Sequence, residues 1–136
     1  MQNSFRAQLT QPATMLVVQD VNNSLKFYCD KLGFDLKSLA DGIALLTLGS
    51  MWLYLVTESQ PTPDKPTITL AQLNSHGRTS VNLVFHVADC HRTYEALRKI
   101  GINFFTPPHQ PPWGGWRCFA QDPDGYLIEI VTEDID

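Results

Sequence analysis

The sequence predicts an α+β fold in which two similar βαβββ modules form a cupped mixed sheet with helices on its outer face. Three observations support this prediction. The two halves of the chain resemble each other, each half has one amphipathic helix among short strands, and the strands alternate between two kinds of position. One helix covers only one face of such a sheet, so the other face must meet a second sheet or a ligand.

The repeat is clearest where each module passes from its first strand into its helix. VQDVNNSLKFYCDKLGF starts at Val18, and VADCHRTYEALRKIGI starts at Val87. Each stretch contains an apolar strand end, an Asp or Asn suited to a helix N-cap, and an amphipathic helix. Gly33 and Gly101 stand where a left-handed residue is expected to end each helix.

The ends of the two modules repeat as well, since LYLVTE (53–58) aligns without a gap on IEIVTE (128–133). The predicted strands are 13–19, 34–40, 43–49, 51–57, 80–87, 102–106, 116–121 and 126–132. A linker, 58–79, contains three prolines and joins modules 13–57 and 80–132 of a single domain. We expect one helical turn in it, around Thr69–Asn74.

Composition excludes several classes of partner. The chain has 136 residues and a formal net charge of -4, and it has no Lys/Arg cluster, so no nucleic acid is expected as a partner. The N-terminal stretch lacks the apolar core of a signal peptide, and no run has membrane-spanning length, so no membrane partner is expected. Cys29, Cys90 and Cys118 are odd in number and widely spaced, which predicts reduced thiols and a cytoplasmic location.

Strand alternation divides the strand residues between two faces. Residues of one parity are uniformly apolar and are expected under the helices: Leu16, Val18, Leu53, Leu55, Leu83, Phe85, Ile128 and Ile130. The opposite parity defines what we call the inner face: Met15, Val17, Trp52, Tyr54, Val56, Asn82, Val84, His86, Arg117, Phe119, Gln121, Glu129 and Val131. Its mixture of aromatic, aliphatic and a few polar groups is typical of a small-molecule pocket, although some of these residues could instead pack against a partner subunit.

The loop 106–117 is the most informative connection. Four prolines stiffen it, and two consecutive glycines allow the chain to turn sharply into the next strand. It carries Trp113 and Trp116. A rigid exposed indole suits stacking on a flat ligand, and the alternative for Trp113 is packing on the linker as a lid. The following DPDG turn, 122–125, is interpreted as structural.

Three stretches resemble the glyoxalase/bleomycin resistance/dioxygenase superfamily, also called the vicinal oxygen chelate superfamily. They are VQDVNNSLKFYCDKLGF, GSMWLYLVTES and PWGGWRCFAQDPDGYLIEIV, which together span nearly the whole chain. The resemblance implies paired βαβββ modules and dimers that share modules between chains. It also implies functions that range from isomerases, thiol transferases and dioxygenases to drug-binding proteins without catalysis. In the bleomycin-resistance proteins a similar Pro-Trp-Gly precedes the last turn, and Trp113 matches the tryptophan that stacks on the drug.

The metal-using members of this family hold their metal on the first and last strand of each module. The corresponding positions here are Ala13, Tyr54, Asn82 and Glu129. Alanine has no donor, and a neutral amide or phenol is a poor ligand for a transition metal. A shifted site of His86, Glu129 and Asn82 is the alternative, whereas the simpler interpretation is that a partly buried His86 bonds a neighbour such as Glu129 or Tyr54.

The sequence therefore predicts a homodimeric protein that sequesters a planar aromatic compound without a metal or another cofactor, as the bleomycin-resistance type does. No catalytic residue is assigned. The ligand-binding candidates are Trp52, Tyr54, Asn82, His86, Trp113, Arg117, Phe119 and Glu129. Alternatives are a metal-dependent lyase, isomerase or dioxygenase with a relocated site, and a module whose inner face serves only dimerisation.

Overall fold

The computed structural model describes residues 6–73 and 77–133, and its strands form two mixed sheets. The first sheet has the order β1-β4-β3-β2 and consists of β1 (Ala13–Val17), β2 (Asp35–Ala40), β3 (Ile43–Leu48) and β4 (Met51–Val56). The second has the order β5-β7-β6 and consists of β5 (Asn82–His86), β6 (Trp116–Gln121) and β7 (Leu127–Thr132). In each sheet the module's first strand pairs in parallel with its last, and the other neighbours are antiparallel. The α+β class is confirmed.

One α-helix follows the first strand of each module. Helix α1 spans Val21–Leu25 and continues directly into a π-helical turn, Lys26–Lys31, whereas α2 spans Cys90–Lys99. Gly33 and Gly101 have φ of 86° and 98°, the left-handed conformation that the sequence predicts after each helix. None of the helices among the described residues has the length and apolar character needed to cross a membrane.

Both helices begin at an aspartate, as the repeat predicts. The Asp20 carboxylate accepts the backbone N–H of Asn23 over 3.2 Å, and the Asp89 carboxylate accepts that of Arg92 over 3.1 Å. These bonds satisfy N–H groups that the first helical turn leaves without a partner.

The core lies between the sheets and the helices and joins both modules. The strand residues that alternation assigns to the helix side are buried, with Phe85 partly buried beside them. Phe34 of the first module packs edge-on against both Tyr28 and Phe85, with ring centroids 5.7 and 5.9 Å apart. The two modules therefore share one hydrophobic core.

The predicted strand 102–106 is wrong. Only Phe104 forms a bridge, with Ala120, and the next N–H donates to the carbonyl of Phe119. The Ile102 N–H is already bonded to the end of α2, at the carbonyl of Leu97, and two prolines without an N–H follow at 107 and 108. The segment therefore pairs with β6 through a single bridge and forms no continuous strand.

The linker also differs from its prediction. Residues 69–73 contain no helical turn, and Asn74 lies outside the described residues. Instead Ser59 pairs with Leu70, and Thr62 pairs with Lys65, as isolated antiparallel bridges. The segment between β4 and β5 therefore begins as a short folded-back loop, and Lys65 stabilises it by donating from Nζ to the carbonyl of Gln60 over 2.8 Å.

Candidate functional site

Strand register gives the two sheets corresponding rows of side chains on the inner face. In the first sheet Tyr54 of β4 pairs with Met15 of β1 and with Leu45 of β3. In the second sheet Glu129 of β7 pairs in the same way with one residue of β5 and one of β6, namely Val84 and Phe119. Tyr54 and Glu129 are therefore equivalent positions, as the internal repeat predicts.

Part of the inner face is open in a single chain, whereas three of its valines, Val17, Val56 and Val131, are buried. Met15 and Val84, which flank Tyr54 and Glu129, remain 47% and 44% exposed. Residues on the opposite side of the same strands are almost completely buried, for example Leu53 and Ile128. Large exposed apolar side chains on the edge strands of a sheet are typical of a surface that receives a ligand or another chain.

The four positions where the family resemblance expects metal ligands do not form a ligand set. Ala13 has no donor, and Tyr54 offers only a phenol. Asn82 donates from Nδ2 to Glu129 Oε1 over 2.9 Å, so the amide and the carboxylate bind each other. Among residues 6–73 and 77–133 no group of three or more His, Cys, Asp or Glu side chains is arranged to hold a metal ion. The residues at these positions do not fit a divalent metal.

His86 lies on the inner face but bonds a different residue from the one expected. Its Nε2 lies 3.2 Å from Glu133 Oε1, and the side chains of this pair are 63% and 50% exposed. Glu129 and Tyr54 are not its partners. His86 pairs across the sheet with Val131, so Glu133 is as close to it along β7 as Glu129, and the histidine extends toward the strand end.

Two aromatic rings, one from the loop before β6 and one from β6 itself, contact the side chain of Arg117. The Arg117 guanidinium lies over the Trp113 ring at 5.0 Å and over the Phe119 ring at 5.1 Å. Backbone bonds hold Arg117 to His109 in both directions, over 2.8 and 2.9 Å. A turn at Pro111, whose carbonyl accepts the N–H of Gly114, then carries the indole back over β6. These two cation–π contacts restrict the orientation of the guanidinium plane.

The two tryptophans of this loop have different environments. Trp113 is 73% exposed on the inner side. Trp116 is the first residue of β6 and packs edge-on against His91 of α2, with centroids 4.8 Å apart. Of the two, Trp113 is the one positioned to contact a ligand of the inner face, and its ring stacks on no aromatic ring in the described part of the linker.

The structure therefore brings together five of the eight candidate residues. They form a continuous series on the second sheet: Trp113, Arg117, Phe119, Glu129 and Asn82. His86 lies beside the series, bonded to Glu133. Trp52 and Tyr54 belong to the first sheet, where they are partly buried on β4. Within the described part of the chain, no ring contact or hydrogen bond joins these two side chains to the series.

Sequence reasoning missed two residues that share the inner face. Leu45 lies beside Tyr54, and Glu133 holds His86. The repeat contained a signal for the first, because Leu45 corresponds to Phe119. Simple alternation along β7, through 129 and 131 to 133, contained the signal for the second.

An apolar cavity of about 350 Å³ lies beside the free edge of β5. Residues of both modules line it: Leu32, Leu48, Met51, Val84, Phe85, His86, Val87, Thr93, Leu97 and Ile130. Strand β5 is an edge strand, since its one neighbour in the sheet is β7. Strand alternation did not predict this cavity, because alternation separates residues by sheet face, whereas at a strand edge residues of both faces line the same cavity.

The pKa values of the three cysteine thiols do not favour nucleophilic chemistry. Burial raises the pKa of Cys118 to about 12 and also raises the pKa of Cys90, whose sulfur lies 3.8 Å from that of Cys118. Burial likewise raises the pKa of Cys29, with the charges of Asp30 and Asp35 adding to the effect. Thiols with raised pKa values stay protonated at neutral pH and are weak nucleophiles.

The DPDG turn, 122–125, has a structural role, since it is held by buried hydrogen bonds. Asp122, 5% exposed, accepts hydrogen bonds from the Tyr28 hydroxyl (2.7 Å) and from the backbone N–H groups of Asp124 and Tyr126 (2.9 and 2.8 Å). The Tyr126 hydroxyl donates to the carbonyl of Val17 over 2.8 Å. The turn thereby ties the end of β1 to the start of β7, which positions both sheets.

Comparison with known proteins identifies relatives along nearly the whole chain. A model of the glyoxalase/bleomycin resistance protein/dioxygenase superfamily matches residues 10–130. The chain is 31% identical over 131 residues to a bleomycin resistance protein of Geobacillus stearothermophilus, with 92% of this chain and 98% of the relative covered. It is 32% identical over 120 residues to a lactoylglutathione lyase of Haemophilus influenzae, with 87% and 88% covered.

A solved structure has the same fold. It is the crystal structure of a glyoxalase/bleomycin resistance protein/dioxygenase from Nocardioides, which superposes with a TM-score of 0.75 at 25% identity. The superposition covers 94% of this chain and 85% of that one. Both the paired sheets and the order of elements therefore have a precedent among solved proteins.

Proposed function

The chain belongs to the glyoxalase/bleomycin resistance protein/dioxygenase superfamily, and from this premise we propose that it sequesters a planar aromatic small molecule on its inner face without a metal ion. The observation that carries the proposal is the Asn82–Glu129 hydrogen bond, which occupies the second sheet's ligand positions. A carboxylate bonded to a neutral amide orients a polar group of a ligand, whereas it cannot alone hold a divalent ion. The similarity to a bleomycin resistance protein supports a drug-like compound as the ligand.

Stacking supplies the affinity in this proposal. Trp113 offers an exposed indole face, and Phe119 offers a second ring on the same side of the sheet. Trp52 and Tyr54 would contribute further aromatic surface from the first sheet. Flat rings with their polar atoms at the edge bury a large area and lose little conformational entropy, which suits recognition of flat compounds.

The polar residues orient the ligand rather than react with it. Glu129 and Asn82 act together, His86 lies at the side of the face, and Arg117 supplies a positive charge. The described residues include no thiol with a lowered pKa, since burial raises the pKa of each of the three cysteines. These features support binding as the activity of the inner face.

A second copy of the chain completes the pocket. Among the described strands, β1 and β5 each have one edge without a partner, and Met15 and Val84 on these strands are 47% and 44% exposed. A homodimer in which the first module of one copy faces the second module of the other would bring Trp52 and Tyr54 opposite the Trp113 series. This arrangement is the one that the family resemblance implies.

A metal-dependent lyase, isomerase or dioxygenase is the second candidate. The observation in its favour is the 32% identity to a lactoylglutathione lyase. It would require a relocated site, for which His86, Glu133 and Glu129 are the available donors on the inner face. A test for lactoylglutathione lyase activity with added Zn²⁺ or Ni²⁺ separates the two candidates, because the binding proposal expects no turnover.

A thermal-shift screen of flat aromatic compounds, with chelator present, tests the proposal directly. We expect compounds that raise the unfolding temperature of the wild-type protein and that raise it much less in Trp113→Ala. A matched control is Trp116→Phe, because Trp116 contacts α2 and not the inner face. A screen in which every stabilising compound acts equally on Trp113→Ala, or acts only after metal is added, contradicts the proposal.

A further inference from the structure

The guanidinium of Arg117 is held by rings and not by an acid. Its contacts are the Trp113 and Phe119 faces. The ion pairs among residues 6–73 and 77–133 are His86–Glu133 and Arg98–Glu95, and neither includes Arg117. No hydrogen bond from its side chain reaches an acceptor in the same part of the chain. A guanidinium has five N–H donors in one plane, and here they are available to a ligand.

Glu129 lies close to Arg117 but does not neutralise it. Arg117 pairs with Val131 and Glu129 pairs with Phe119, so the two charged residues are diagonal neighbours on one face. Such neighbours have Cα atoms about 7–8 Å apart, which long side chains easily span. Glu129 is instead bonded to Asn82, on the side away from Arg117. Opposite charges therefore remain separate, each fixed by a different neighbour.

Phe119 lies between these charges. Its ring contacts the Arg117 guanidinium, and its backbone is the cross-strand partner of Glu129. A flat ligand stacked on the exposed face of Trp113, beside the Arg117 side chain, would present one edge to a cation and another to a carboxylate. An anionic group on the first edge gains charge-assisted hydrogen bonds from Arg117, and a cationic group on the second gains them from Glu129.

We propose that the ligand of this site is amphoteric: a planar aromatic compound with an acidic group that binds Arg117 and a basic group that binds Glu129. This inference rests on the proposed function, since it names the chemical class of the ligand for the same face. It assigns the two charges separate roles, in which Arg117 selects for the acid and Glu129 selects for the base. A neutral planar compound would then bind through stacking alone.

Three dyes with one three-ring xanthene core test the inference. Rhodamine 110 carries a delocalised cation and a carboxylate, rhodamine 123 is its methyl ester and keeps only the cation, and fluorescein is anionic. Fluorescence anisotropy during protein titration gives a Kd for each. We expect the Kd of rhodamine 110 to be lower than that of either other dye by about tenfold or more, because a hydrogen bond to a charged group is worth about one decade in Kd.

Single substitutions test which charge of the ligand Arg117 and Glu129 each bind. Arg117→Gln is expected to reduce rhodamine 110 binding to the level of rhodamine 123, while rhodamine 123 itself loses little. Glu129→Gln is expected to weaken both rhodamines and to spare fluorescein. Arg98→Gln and Glu95→Gln are matched controls, because this exposed ion pair lies on α2 away from the inner face, and they should change no Kd. Far-UV circular dichroism verifies that each variant is folded.

The outcomes separate this inference from the function on which it rests. If the three dyes bind equally, and all bind more weakly to Trp113→Ala, the binding function stands and the amphoteric class is wrong. The class is also wrong if Arg117→Gln weakens every dye to the same extent, because Arg117 would then serve only as a stacking surface. If no dye binds to the wild-type protein, both the class and the proposed stacking site are contradicted.

Discussion

Asn82 Nδ2 lies 2.9 Å from Glu129 Oε1, and this bond joins the first and last strands of the second sheet. The pair stands at two positions where metal-using relatives are expected to place ligands. An amide that donates to a carboxylate satisfies one of its oxygens and fixes its rotamer. The equivalent pair in the first sheet, Ala13 and Tyr54, provides no carboxylate at all.

The protein is expected to contain no stoichiometric transition metal, because these four residues supply one carboxylate where a tight site requires three or four donors. Elemental analysis of protein purified without chelator measures this. The triple variant Ala13→His, Tyr54→Glu, Asn82→His restores two imidazoles and a second carboxylate and should bind a divalent metal. One tightly held Zn, Ni, Mn or Fe per wild-type chain would contradict the account.

The protein is expected to be a homodimer at micromolar concentration, because β1 and β5 have free edges among the described strands and the apolar side chains of Met15 and Val84 are about half exposed. Sedimentation velocity measures the mass. Val84→Glu should weaken the dimer by placing a charge on this face. Ile100→Glu is the matched control, since Ile100 is similarly exposed, 49% against 44%, at the end of α2. A wild-type monomer at that concentration would count against the shared pocket.

Tyr28→Phe is expected to lower the free energy of unfolding by about 1–3 kcal/mol, because it leaves a buried carboxylate oxygen of Asp122 without its donor. Urea denaturation monitored by circular dichroism measures the change. Tyr94→Phe is the control, since Tyr94 is only partly buried and contacts Phe104 through its ring. An effect no larger than that of Tyr94→Phe would mean that the buried hydrogen bond contributes little.

Asp122 is also expected to make stability depend on pH. Burial raises the pKa of its carboxyl group above the ordinary 3.8, although three hydrogen bonds favour the charged form. The folded state therefore binds this proton more tightly than the unfolded state. The stabilisation is complete below the unfolded pKa and is lost as the pH rises through the raised folded pKa.

Comparison with Asp122→Asn isolates this group, because asparagine keeps the shape of the side chain and does not titrate. The free energy of unfolding of the wild-type protein, relative to that of the variant, should increase as the pH falls from about 7 to about 4. Urea denaturation at several pH values provides the measurement. If this difference in unfolding free energy stays constant with pH, or grows toward neutral pH, folding does not raise the pKa of Asp122.

Much of the fold could be predicted from local pattern. Alternation correctly assigned Leu53 and Ile128 to the buried side, because a strand has a strict period of two residues. The helix caps at Asp20 and Asp89 depend on neighbours within four residues, so they too are visible in the sequence. The segment 102–106 resembled a strand, but it pairs with β6 only through the bridge at Phe104, and the N–H of Ile102 is bonded to the end of α2.

The sequence predicted which side chains share the inner face but not which contacts they make. Alternation assigned Arg117, Phe119 and Glu129 to one face, and the register confirms that assignment. Which partner a long side chain selects depends on rotamers and on nearby loops. His86 therefore bonds Glu133 rather than Glu129, and Arg117 contacts two aromatic rings rather than an acid. The spacing of apolar residues also did not predict the π-helical turn after α1, because the same spacing fits an α-helix equally well.

Trp113 is the residue on which the proposed function depends most directly. Its indole is 73% exposed, and the turn at Pro111 and its contact with Arg117 hold it over the inner face. Stacking geometry adds roughly 0.5–1.5 kcal/mol beyond the area that a flat ligand buries. Trp113→Ala removes both contributions, whereas an exposed loop residue contributes little to folding stability.

The decisive measurement is the Kd of rhodamine 110, by fluorescence anisotropy, for chelator-treated wild-type protein and for Trp113→Ala. The account predicts saturable binding without metal, a Kd about tenfold or more higher in Trp113→Ala, and an unchanged unfolding temperature. Trp113→Phe, which keeps a ring, should bind with intermediate affinity. Saturable binding that requires added metal would contradict the account, and so would a Trp113→Ala variant that unfolds while Trp113→Phe binds normally, because Trp113 would then be a packing residue.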